Sequence, residues 1–267
     1  MLLYTDLVRD IARDVARRVP DLAHIDADRI AFLAAARCTS HRTGNLAICY
    51  GLNRQAEPTF SVWVRRGTRK VIAVSGWVQM RVPRVYINGR EMSYLILLRL
   101  PRLLRQNPLE TIIHELYHIS EGFDRRMRPA RHGALFDREV RRLMNVWLAN
   151  ARGDLPRLAQ MTLRQLEGEF GAVLAQGVPS NFRLPIVEPV RGPESYQRAV
   201  PRLYPGHSLA ALYQVRPAQQ LSPEETPRVL TERDLVLRHY HTRGVERVPA
   251  EFTRYSRNGR RSLALSA

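Results

Sequence analysis

Asn107-Pro108-Leu109-Glu110-Thr111-Ile112-Ile113-His114-Glu115-Leu116-Tyr117-His118-Ile119 organises the rest of the chain. Asn107 is placed to cap a helix, Pro108 fits its first position, where no amide is needed, and Glu110 sits in the first turn, so the spacing predicts a helix over 108–120. On that helix His114 and His118 are four apart and share a face, so two imidazoles can reach one ion. Glu115, offset by one position, is left to hydrogen-bond a water rather than to ligate. The reading is one Zn²⁺ per chain, held by His114 and His118, with Glu115 as catalytic general base.

An open zinc site needs a third protein ligand. His132 follows Pro129 and precedes Gly133, so it stands in a turn that can return over the helix. Asp137 and Glu139, on the next predicted helix, are the carboxylate alternatives, whereas Glu121 and Asp124 are too near the end of the first helix to fold back. His132 is preferred because imidazole suits zinc and Gly133 allows close approach. His24, His41 and His207 have no comparable spacing, and His239 with His241 reads as a solvated polar stretch rather than a second metal pair. Tyr94, Tyr117, Arg125, Arg126, Arg128 and Arg131 are candidates to stabilise an oxyanion.

Outward from this helix, Leu3, Leu7, Ile11, Val15 and Val19 recur every four residues and predict an amphipathic N-terminal helix ended by Pro20. Short apolar or alternating runs at about 29–36, 45–52, 59–64 and 70–77 predict strands, and the continuous apolar run 94–100 has strand length but also reads as the start of a helix that Pro101 breaks. A further helix is expected over 135–150, and another from Thr162, with Gln165 completing a capping box. Past Gly177 frequent prolines exclude long elements, Ser222, Pro223 and Glu225 predict one short helix, and the arginine-rich stretch 238–261 shows no period. The expectation is therefore an α+β domain over 1–177, followed by an irregular Pro- and Arg-rich segment, 178–267, of unassigned role.

The span Glu110-Thr111, His114-Glu115-Leu116, His118, Phe123, Pro129, His132-Gly133 and Phe136 resembles the SprT-like and phage-type metallopeptidases. The resemblance is specific over 94–147. It implies a zincin-like core, in which the N-terminal helix and a small twisted sheet lie beside the H-E-x-x-H helix, and it implies that His132 is the third ligand. It also implies a protein or peptide substrate held as an extended strand along a sheet edge, here 71–78 or 94–100. The cysteine zinc ribbon of many SprT-like proteins has no counterpart, since Cys38 and Cys49 are the only cysteines.

Composition limits the remaining classes. With 267 residues, 45% of them hydrophobic, the chain can bury a core. No run reaches the roughly 20 apolar residues of a membrane helix, and cysteine usage fits a cytoplasmic protein. A net charge of +17 makes nucleic acid a candidate partner. Lys70 is the sole lysine, however, which points to a general arginine bias. The competing function is a basic interaction protein with a structural zinc site, against which Glu115 argues, because a closed site needs no carboxylate there.

Overall fold

The computed structural model describes residues 1–36, 44–52, 62–64, 71–74, 78–81, 83–105, 108–128, 132–182, 186–189 and 229–248. In chain order its elements are β1 (Leu2–Leu3), α1 (Tyr4–Arg18), β2 (Ile30–Ala34), β3 (Ala47–Gly51), β4 (Val62–Val64), β5 (Val71–Val74), β6 (Val78–Arg81), β7 (Arg84–Ile87), β8 (Arg90–Glu91), β9 (Tyr94–Leu98), α2 (Pro108–Tyr117), α3 (Ala134–Asn150), α4 (Leu155–Leu158), α5 (Leu163–Phe170), β10 (Val173–Gly177), β11 (Ile186–Pro189), β12 (Val229–Thr231), β13 (Val236–His241) and β14 (Gly244–Arg247). The architecture is mixed α and β, as expected. Among the described residues no helix is long and apolar enough to cross a membrane.

The chain divides into two compact units. The larger comprises Met1–Leu52, Arg84–Phe182 and Val229–Ala267 and is built on a mixed seven-stranded sheet of order β14-β13-β10-β2-β9-β3, with β1 paired to β10. β2 runs parallel to β9, matching Ile30 to Tyr94 and Ala34 to Leu98, while β3 runs antiparallel to β9 on its other side. Every residue of β2 is buried, which is why its sequence is a continuous apolar run rather than an alternating one. A small separate sheet, β12-β7-β8, belongs to the same unit.

α1 covers the sheet with the face its spacing predicted: Leu7, Ile11 and Val15 are buried, joined by Tyr4, Val8 and Ala12. Asp14 is buried on the same helix. Its carboxylate accepts a hydrogen bond from Trp147 Nε1 at 2.9 Å and pairs with Arg17 and with Arg18, the latter at 2.8 Å, tying α1 to α3. α5 starts at the predicted capping box, where the Thr162 amide donates to Gln165 Oε1 at 2.8 Å.

The second unit consists of 53–83 and 183–228, and its described parts are two antiparallel pairs, β4 with β5 and β6 with β11. The compact units thus do not divide at residue 177. β13 and β14 pair into the main sheet, Leu174 opposite His239 and Arg238 opposite Arg247, although 238–261 shows no period in sequence. Gly177 stands where β10 meets both neighbours, and a Cβ there would collide with the Arg238 guanidinium. The short helix expected at Ser222, Pro223 and Glu225 lies outside the described residues.

The expected substrate edges also need correction. β9, within 94–100, is an inner strand, bonded on both sides, and β5, within 71–78, pairs with β4 in the other unit. The strands at the ends of the main sheet, among the described residues, are β14 and β3, and of these β3 is the one that packs beside α2.

Candidate metal centre

α2 begins at Pro108 as expected but ends at Tyr117, three residues short of the predicted 120. The chain leaves the helix at His118 and turns back: Arg128 N–H donates to the His118 carbonyl at 2.7 Å, and Ile119 forms an antiparallel bridge with Met127. Asn107, the expected cap, is outside the described residues. Leu109, Ile112, Ile113 and Leu116 fill the core on one side of α2, which leaves His114 and His118 facing the cleft.

Three imidazoles converge there. The His114 and His118 Nε2 atoms are 3.1 Å apart, His132 Nε2 is 3.2 Å from the former and 2.9 Å from the latter, and these three residues are close enough to bind a metal ion. Each neutral imidazole Nε2 either donates or accepts, so three in mutual contact must include one pair of like roles. An ion that takes all three lone pairs removes that conflict. Nitrogens about 2.0–2.1 Å from one tetrahedral ion lie about 3.3 Å from each other, close to the spacings found.

Phe136, buried at the start of α3, packs against all three rings at centroid distances of 4.8, 4.9 and 5.0 Å and forms an apolar floor beneath them. Its place in the motif was visible in sequence, but its packing role had no local signal. Burial, followed by the adjacent imidazoles, lowers the pKa of His114 and takes that of His118 down to about 4. Both shifts favour the neutral imidazole that metal ligation requires.

Glu115 is 5% exposed. Burial pushes its carboxyl up to about 7, against a hydrogen bond from the backbone of Cys49 on β3. The same burial raises the Cys49 thiol well above its usual range. Gly44, Asn45, Leu46, Ala47, Ile48 and Cys49 form one wall of a cleft of about 810 Å³, and the three histidines, Glu115 and Thr111 line the other. Sequence reasoning missed this wall, because an apolar strand carries no mark of which helix it will face.

The alternative ligands lie apart from the cluster. Glu139 is held by Arg142 at 2.7–3.1 Å, Glu121 by Arg128 at 2.6 Å, and Asp124 accepts from Ser120 at 2.5 Å. Asp137, on α3, lies outside the three-histidine group. Of the oxyanion candidates, Tyr94, Arg125, Arg126 and Arg128 have other partners. The Tyr94 hydroxyl donates to the Arg126 carbonyl at 2.8 Å, Tyr117 packs between Phe136 and the Arg128 guanidinium, and Arg125 pairs with Glu91 at 3.5 Å. Arg126 pairs with Asp124 at 3.2 Å, and Arg131 lies outside the described residues. His239 and His241 sit 5.3 Å apart by ring centroid on β13, with Glu246 Oε1 3.5 Å from His241 Nε2, but among the described residues only His114, His118 and His132 form a group close enough to hold a metal ion.

No protein-family model matches the chain, and no curated protein or solved structure matches it either.

Proposed function

We propose that the chain is a zinc-dependent peptidase of the zincin type. The observation that carries this reading is the convergence of three imidazole nitrogens within 2.9–3.2 Å beside a buried glutamate, in an open cleft walled by a sheet edge. His114, His118 and His132 hold the ion, and zinc there supplies Lewis acidity that activates water and polarises a carbonyl. Glu115 takes the proton of the attacking water and returns it to the departing amine. Its buried carboxyl, one position from His114 on the cleft side of α2, is placed for both halves of that transfer. β3, an end strand of the sheet among the described residues, offers its outer edge to an extended peptide, whose backbone would add to the sheet beside α2.

The test is metal analysis of the purified protein together with hydrolysis of an unstructured protein substrate, with and without added zinc. One equivalent of zinc, with cleavage abolished by a chelator and restored by zinc, is the expected result. Protein that neither retains nor takes up a metal overturns the reading.

The second reading is a basic interaction protein with a structural ion, and it draws on the net charge of +17. Zinc content without cleavage, in protein whose Glu115→Gln variant behaves as wild type, favours it.

A further inference from the structure

Left-handed backbone at a residue with a side chain is uncommon and is held only where surroundings enforce it. Two such residues, Phe123 at φ 47° and Arg125 at φ 69°, fall in the short stretch between the second and third histidines of the metal centre. They form the tip of a hairpin running from His118 to Arg128. Its arms are joined by Arg128 N–H to the His118 carbonyl at 2.7 Å and Ser120 N–H to the Arg126 carbonyl at 3.2 Å. The outgoing arm begins at His118, where α2 ends, and the returning arm ends at Arg128, four residues before His132.

Tyr94 of β9 reaches both arms. Its side chain is fully buried, and its hydroxyl donates to the Arg126 carbonyl at 2.8 Å on the returning arm and lies 3.2 Å from Ser120 Oγ on the outgoing one. Its ring packs on Phe123 at 5.0 Å. Ser120 Oγ passes the link on to Asp124 at 2.5 Å, and the Arg126 amide donates to the same carboxylate at 3.1 Å. From the side, Gly51 at the end of β3 abuts the Arg125 carbonyl so closely that no Cβ fits between them. The hairpin is thus fixed to two strands of the sheet, whereas His132 itself is solvent-exposed.

We infer that Tyr94 is a positioning residue for the metal centre: by clamping the 118–128 hairpin it sets the path on which His132 meets the ion. This inference rests on the proposed metal site and adds to it the cause of the third ligand's placement. Orientation of a ligand by groups beyond the coordination sphere is a common determinant of metal affinity. Met127, carried by the returning arm, lines the cleft, so the same clamp shapes the substrate wall.

The experiment measures zinc dissociation from the full chain by transfer to a chromogenic chelator, for wild type, Tyr94→Phe, His132→Ala and the double variant. Tyr94→Phe should release zinc about five- to tenfold faster, the loss expected when one buried hydroxyl leaves its partners unsatisfied. The cobalt-substituted protein should show altered visible absorption at the same time. In the His132→Ala background the Tyr94 substitution should add nothing, because a residue acting through His132 has no further effect once that ligand is gone. Equal release rates for wild type and Tyr94→Phe overturn the inference, as does a Tyr94 effect of the same size with and without His132, which would mark general loosening of the fold. Should Tyr94→Phe fold poorly, Ser120→Ala removes the link to the outgoing arm and is read the same way. Wild-type protein that binds no zinc instead overturns the peptidase reading itself.

Discussion

In its proposed role Glu115 would face two opposed demands: a base must be ionised, and burial opposes ionisation. In the metal-free protein its pKa of about 7 exceeds its ordinary 4.5, so the folded state holds a proton that the unfolded chain has already lost between those values. Stability therefore falls as pH rises through that window. Glu115→Gln removes this penalty, and the metal-free variant should be more stable than wild type at pH 7.5, by up to about 3 kcal/mol, in denaturant titration. The same variant should keep its zinc and lose about a hundredfold or more of hydrolysis. His118 works in the other direction. Its pKa of about 4 lies below the ordinary 6.5, so the metal-free protein loses stability as pH falls from about 6.5 toward 4, while the unfolded chain takes up the proton first. Denaturant titration of the metal-free protein between pH 4 and 6.5 checks this: the Glu115→Gln variant should lose stability as pH falls over that range, and a variant whose stability stays flat there would contradict the lowered His118 value. His132→Ala should weaken zinc binding strongly, and Glu139→Ala should leave it unchanged. The reverse outcome would make the third ligand a carboxylate.

The pairing of α1 with α3 rests on one buried carboxylate. Burial by itself would raise the Asp14 pKa, but the bonds from Arg17, Arg18 and Trp147 outweigh it and hold it below the ordinary range. That contribution is present above pH 4 and is lost as the carboxyl protonates in stronger acid. Asp14→Ala leaves the Trp147 N–H buried without an acceptor and should cost about 2–4 kcal/mol in thermal or chemical unfolding. It should not change zinc stoichiometry, because neither residue lines the cleft. The elements legible in sequence were those with a strong local period or cap: α1 from its fourfold spacing, α5 from Thr162 and Gln165, and β2 and β9 from unbroken apolar runs. His114, Glu115 and His118 were equally legible, because the helix alone sets their spacing. What escaped was set by distant partners. β13 is half arginine and histidine and becomes a strand only because β10 lies beside it. α2 stops at Tyr117 because the 118–128 hairpin competes for the backbone groups that would have continued it. The cleft wall at β3 is apolar like its neighbours, and only its place at one end of the sheet, beside α2, puts it in the cleft.

Across the whole molecule the charge is unevenly spread. Many arginines of the larger unit face acids, as Arg13 does with Asp10 and Asp28, and Arg157 with Glu169. Much of the positive excess lies outside the described residues, at Arg65, Arg66, Arg69 and Lys70 and at Arg254, Arg257, Arg260 and Arg261. Truncation at 177 would remove β13 and β14 from the sheet and could not separate charge from folding. Ending the chain after residue 248 retains both strands. That variant should keep its zinc, and any affinity of the full chain for DNA or RNA should fall with the lost arginines and weaken steeply with salt. Absence of nucleic-acid binding by the full chain at physiological ionic strength would remove polyanions as partners and leave the peptidase reading intact.

The placement of β10 bears on when the molecule becomes competent. β1, at the first residues of the chain, and β13, near residue 240, both hydrogen-bond to β10. During synthesis the sheet keeps an open flank until residues 236–241 have left the ribosome, long after the three histidines have emerged. Pairings of such wide sequence separation form slowly, since loop closure precedes any gain from contact. A nascent chain with all three histidines but no β13 should therefore be protease-sensitive, and if the proposed hydrolysis needs the closed sheet it should set in only after residues 236–241 have paired with β10.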